Sequence, residues 1–156
     1  MRLEVEYAGQ RDEWGLWVTD ASFGFFTADG SGRGQAAALN EDGTINSVSN
    51  PARLGSVLVL FGTGAGQTVP PSADGEVAGG SLPKPIAPVR ATIPGLLPLQ
   101  VLYAGAAPGQ VAGVTQVNVR LPDTLPTPSR YPLSAIPVSV AVGDHESPGP
   151  VTVAVR

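Results

Sequence analysis

The sequence predicts an all-β protein, an antiparallel β-sandwich with long Pro/Gly-rich connections. Three observations predict it. The 156 residues include 20 Gly and 16 Pro, too many helix breakers for a helical protein. A hydrophobic content of 42% is too high for a disordered chain. Short apolar or alternating runs recur along the chain, separated by turn-forming residues, in the spacing of an all-β domain.

The elements follow in order. Leu3, Val5 and Tyr7 alternate with Arg2, Glu4 and Glu6, which predicts a strand with one wet face. A turn at Ala8, Gly9 and Gln10 leads to a second strand, on which Trp14, Leu16 and Val18 alternate until near Asp20. Phe23, Phe25 and Phe26 form a core plug at a sheet end, and residues 27–34 form a flexible loop. Residues 35–39 read as a short strand, because Asp42-Gly43 follows as hairpin-turn chemistry and 45–49 returns.

Residues 57–61, Val-Leu-Val-Leu-Phe, are continuously apolar and predict a central strand buried on both faces, with the others laid around it. The glycines at 62, 64 and 66 reverse the chain after it. Residues 68–88 carry prolines at 70, 71, 83, 85 and 88, too many for an interior strand, and predict an ordered connection between sheets. Strands are expected over 89–93 and 99–103, then a small-residue loop over 104–113. Residues 114–121 give the clearest alternation, with Thr115, Val117, Val119 and Leu121 on one face. A proline-rich connection, 122–132, precedes two last strands over 136–142 and 151–155, joined by 143–150.

Composition excludes several functions. The net charge is -4 and the arginines are scattered, so no nucleic-acid footprint exists. No apolar run approaches the ~20 residues of a membrane span. Absent cysteines remove disulfides, thiolate chemistry and Cys-type zinc sites. Glu4, Glu6, Asp12 and Glu13 are incompatible with a secretion signal at the start, so the chain reads as a piece of a longer precursor.

Three stretches carry a resemblance. They are 25–40 (Phe-Phe-Thr-Ala-Asp-Gly-Ser-Gly-Arg-Gly-Gln-Ala-Ala-Ala-Leu-Asn); 49–52 with 55–67; and 101–109 with 116–122. Over residues 20–156 the chain resembles an uncharacterised C-terminal domain family of exported Acidobacteria (Solibacter-type) proteins. The 57–66 segment is also similar to the start of IPT/TIG-like, immunoglobulin-like domains. The resemblance implies an exported, immunoglobulin-like β-sandwich module at the C-terminus of a longer bacterial protein, extracellular or at the cell surface. It carries no assigned activity and no catalytic residues; the accompanying expectation is contact with a protein partner or other domains of the parent chain, and no cofactor. Residues 1–20 read as N-terminal strands that end a preceding repeat, and 21–156 as the β-sandwich domain.

Candidate sites are sparse. Gly62-Thr-Gly-Ala-Gly66 follows a strand, but Pro70 and Pro71 stand where a phosphate loop needs its helix, so a strand-end turn is expected. His145 lies between Asp144 and Glu146 and reads as a solvated loop. A hydrolase with His145 as base lacks a Gly-x-Ser-x-Gly elbow. Asp29, Asp42 and Asp74 each precede glycine, as turn residues more readily than as calcium ligands. Arg33 reads as a loop tip. Trp14 and Trp17, with Tyr7, Tyr103 and Tyr131, are the candidate ligand-binding aromatics of a carbohydrate-binding module. Trp14 and Trp17 are three apart on one expected strand, so one is expected in the core and the other over an edge.

The functional expectation is a non-catalytic structural, adhesion or protein-interaction module, with polysaccharide binding through Trp14 and Trp17 as the alternative. A homo-dimer through an edge strand is a further expectation, because an edge left open can pair with another chain.

Overall fold

Short strands dominate because glycine and proline interrupt the chain every few residues and β-branched residues fill the intervals. The structure is a computed structural model, and it describes residues 1–126 and 130–156. It is all-β, with antiparallel and mixed pairing in a curled, sandwich-like sheet. Part of the 122–132 connection, residues 127–129, lies outside the described residues.

The first two strands, β1 (Arg2–Tyr7) and β2 (Gln10–Gly15), pair only with each other. The main sheet begins with β3 (Gly24–Phe25), β4 (Gly34–Gln35), β5 (Ala38–Leu39) and β6 (Val57–Thr63). A small excursion, β7 (Thr68–Val69) and β8 (Lys84–Pro85), separates these from β9 (Val89–Ile93), β10 (Leu97–Ala106) and β11 (Thr115–Arg120). A single 3-10 turn, Leu133–Ala135, leads into β12 (Ile136–Val142), β13 (His145–Glu146) and β14 (Val151–Val153).

The sheet runs β3-β6-β11-β10-β9-β12-β14-β4, with β5 beside β6 and β13 beside β12. The long β10 turns the corner. Its first residues, Leu97 to Leu99, pair with β9, and Gln100 to Ala106 pair with β11 across a register shift between Val101 and Tyr103. A bulge of this kind bends a strand and lets one sheet fold over on itself. The closing pair β4–β14 is parallel, as is the bridge Ala52–Val155, so the sheet is mixed.

Inward-facing residues of both halves meet in one core. Leu58 and Leu60 of β6, Val117 and Val119 of β11, Val140 and Val142 of β12, and Val151 and Val153 of β14 are all buried. Phe23 and Phe25 close one end, their rings edge-to-face at 5.2 Å. Phe26 faces outward, so the expected plug holds two rings.

Several expectations need correction. β6 is buried on one face only. Leu58, Leu60 and Gly62 are covered, while Val57, Val59 and Phe61 are half-buried. An antiparallel sheet can face water on one side, and an apolar run cannot show which side. Nor is β6 central, since it sits one strand from the sheet's end, beside the short β3 and β5. The strand buried most nearly on both faces is β12, where Ser139 is covered as well as Val138 and Val140.

The second strand begins at Gln10 and ends at Gly15, so the alternation expected through Val18 stops early. The 35–39 stretch splits into β4 and β5, the loop after residue 103 is strand as far as Ala106, and the 143–150 link contains β13. The 68–88 connection carries its own ladder, β7 with β8, and lies along the 107–112 loop through bonds such as Ala78 N–H to Gln110 O, 2.8 Å.

Candidate functional site

The feature that the core leaves unexplained is the β1–β2 hairpin. Its turn is Ala8-Gly9, both with positive φ (51° and 76°), the geometry of a two-residue turn matched to strand twist. The register pairs Leu3 with Trp14, Val5 with Asp12 and Tyr7 with Gln10. Residues directly opposite in a ladder point to the same face. One face therefore carries Leu3, Val5, Tyr7 and Trp14, with Asp12 and Gln10 at its rim. Met1 and Leu16 continue it, joined by backbone bonds of 2.8 and 2.9 Å.

The other face is charged. Arg2 reaches Glu13 (3.4 Å) and Glu4 (3.8 Å), and Arg11 reaches Glu4 (3.0 Å) and Glu6 (3.5 Å). These pairs are exposed, so each contributes ~0–1 kcal/mol. Their effect is to keep five ionised side chains on one side and away from the apolar face.

That apolar face is open. Every residue of β1 and β2 is exposed, and none belongs to the hydrophobic core. Tyr7 is 82% exposed, Trp14 63% and Trp17 fully so. Among the described residues, 1–18 form hydrogen bonds only with one another. The chain rejoins the sandwich at Thr19, whose Oγ1 lies 2.6 Å from His145 Nε2, and at Ser22, whose N–H donates to Gly64 O at 2.9 Å.

The aromatic residues named from sequence thus divide. Trp14 and Trp17 are both open, which corrects the expectation that one would be core. Trp17 also lies beyond the end of β2, where strand alternation no longer governs its direction. Tyr7 shares the Trp14 face. Tyr103 and Tyr131 do not join them, being half-buried with hydroxyls donated to Ala106 O (2.7 Å) and Pro94 O (3.0 Å). Burial pushes the Tyr103 phenol above its ordinary pKa.

The other candidates resolve locally. Gly62 and Gly64 allow residues 20–24 to cross against the end of β6. A Cβ on Gly62 would lie 2.5 Å from both Gly24 O and Phe23 Cζ, and one on Gly64 would strike Ser22 O. The glycine run is thus a crossing point for two chain segments, with a shallow groove of about 370 Å³ beside it, lined by Gln67, Thr68, Asp74 and Thr115 among others.

On β13, His145 and Glu146 diverge, as strand neighbours must. His145 meets Thr19, while Glu146 accepts a hydrogen bond from Ser139 Oγ at 2.7 Å. Asp29 accepts from Ser31 Oγ (2.7 Å), Ser31 N–H (3.0 Å) and Thr27 Oγ1 (3.1 Å). Asp42 accepts from Thr44 Oγ1 (2.6 Å) and Thr44 N–H (3.0 Å). Those bonds, from Ser31 first and Thr44 first respectively, hold both carboxyls below the ordinary aspartate value. Among the described residues, no three His, Asp or Glu side chains converge as a metal site, and no helix is long and apolar enough to cross a membrane.

Sequence reasoning missed Asn46. It is 1% exposed. Its Nδ2 donates to Asn40 Oδ1 and Ala154 O, both 2.9 Å, and its Oδ1 accepts from Ala154 N and Gln35 Nε2, both 3.0 Å. It thus stands in for a missing strand at the chain's C-terminal segment. The only signal was polarity in a segment that had to be covered. No family model matches this chain, and no curated protein or solved structure does either.

Proposed function

We propose that this chain is a non-catalytic, immunoglobulin-like module of an exported bacterial protein, acting outside the cell or at its surface. Its sandwich carries the N-terminal hairpin as a contact element for a protein partner or for other domains of the parent chain. The observation that carries this reading is the segregation of the hairpin into a charged face, whose arginines pair with its glutamates, and an uncovered apolar face. An isolated two-stranded hairpin is marginal in water, and covering its apolar face is what makes such an element stable. Contiguous exposed apolar surface of this kind marks interaction sites. The resemblance of residues 20–156 to the Solibacter-type C-terminal domains supports the exported setting.

The test is site-specific photo-crosslinking in the parent protein or in cell-envelope extract. A crosslinker at position 5, on the apolar face, should yield a defined polypeptide adduct, and one at position 6, on the charged face, should not. No adduct from position 5, or equal adducts from both, contradicts the reading.

A second reading has its own observation, the openness of Trp14, Trp17 and Tyr7. Aromatic rings flanked by Gln10 and Asp12 suit stacking on a polysaccharide. Retardation of the chain in polysaccharide gels, lost in Trp14→Ala or Trp17→Ala, supports it. Unchanged mobility across a panel of polysaccharides rejects it.

A further inference from the structure

We propose that the occupant of the hairpin's apolar face is the same face of a second copy of this chain, in a two-fold, face-to-face pair. This rests on the hairpin's being the contact element. It adds who the partner is and how the faces register.

Size is the first argument. At ~150–250 Å² for a whole aromatic side chain, Tyr7 and Trp14, 82% and 63% exposed, present roughly 300 Å². Leu3, Val5, Met1 and Leu16, each more than 40% exposed, extend the patch toward the ~800 Å² per partner of a stable interface.

Charge is the second. Arg2, Glu4, Glu6, Arg11 and Glu13 all lie on the far face and pair among themselves, so stacking two near faces brings none of them together. The near face carries a single ionised side chain, Asp12, and the Met1 ammonium at its end is held by Leu16 O at 2.9 Å.

Register is the third, and it is what favours a second copy over an unrelated chain. A two-fold axis lying between the sheets and across the strands, at the level of Glu4, exchanges the Val5–Asp12 level with the Leu3–Trp14 level. It also exchanges the Tyr7–Gln10 level with the Met1–Leu16 level. Val5 of each copy then meets Leu3 of the other. Asp12 of each copy comes over Trp14 of the other, whose indole N–H has no hydrogen-bond partner among the described residues. The only carboxylate on the face thus meets the only indole donor, twice, and the two Asp12 groups stay apart. Two small sheets packed this way, ~10 Å apart, form a miniature sandwich with both charged faces in water.

Sedimentation of the full chain across the micromolar to millimolar range tests this. The expected result is a reversible monomer–dimer equilibrium. Val5→Lys should weaken it by at least ~30-fold, since a lysine would be buried at the centre. Trp14→Phe, which keeps an aromatic ring and removes the N–H, should weaken it by about tenfold. Glu6→Gln, on the far face, should leave it unchanged. A monomer throughout overturns the proposal, as does a dimer that Val5→Lys and Glu6→Gln disturb equally. A monomer that still crosslinks from position 5 to a different polypeptide overturns the pairing alone and leaves the contact-element reading standing. A monomer without such adducts removes both.

Discussion

Asn46 shows how a single side chain can close this fold. Ala154 is fully buried, and both its N–H and its C=O are satisfied by the Asn46 amide. The C=O also accepts the Ala52 N–H, but the N–H, which would otherwise need a neighbouring strand, is served by this one side chain. Asn46→Ala leaves the Ala154 N–H buried without a partner, at ~1–3 kcal/mol, while Ala154 O keeps the Ala52 N–H at 3.0 Å. The expected fall in Tm is roughly 2–12 °C for a chain of this size, measured by calorimetry. Asp29 and Asp42 make a second residue-scale prediction. Their hydrogen bonds lower the folded-state pKa below the unfolded value. The stability they contribute is therefore fully present above about pH 4 and is lost as pH falls through their folded values. Thermal melts between about pH 5 and pH 2 should show a smaller acid loss for Asp29→Asn, and separately for Asp42→Asn, than for the wild type.

At the scale of elements, the crossing of residues 20–24 over the end of β6 depends on glycine. A Cβ at position 62 has nowhere to go, because Phe23 is fully buried and Gly24 O is backbone. Gly62→Ala should cost ~1–3 kcal/mol by overpacking. Urea unfolding should show a lower midpoint with an unchanged slope. The strands with strict alternation were legible in the sequence. β11 buries Thr115, Val117 and Val119 as the period-2 pattern requires, and β1 keeps its charged residues on one face. The face of β6 was not legible, because five consecutive apolar residues carry no period. The end of β2 was not either, since Trp14, Leu16 and Val18 continue the alternation past Gly15, where the strand ends, and past Leu16, the last residue bonded to the facing chain. The ladder within 68–88 was hidden by its prolines, which are tolerated because β7 and β8 pair only with each other.

For the whole molecule, the sandwich class was readable from glycine, proline and strand spacing, while the curl was not. The corner in β10 depends on a register shift that no local residue pattern announces, and the parallel β4–β14 closure joins segments more than a hundred residues apart. The candidate site was readable in part. Trp14 and Trp17 stood out as large aromatics, but their exposure follows from the hairpin's separation from the core, which is a property of the whole chain. The account divides the molecule into a self-sufficient sandwich and an outward hairpin that contributes little to its stability. Thr19, which meets His145, marks the boundary.

The most direct test is calorimetry of the full chain, dilute enough to be monomeric, against the chain lacking residues 1–18. The account predicts two cooperative transitions within about 2 °C of each other, a difference under ~1 kcal/mol. A truncated chain that melts more than about 10 °C lower, or does not fold, would mean that the hairpin is part of the sandwich's own structure and would contradict its role as a contact element.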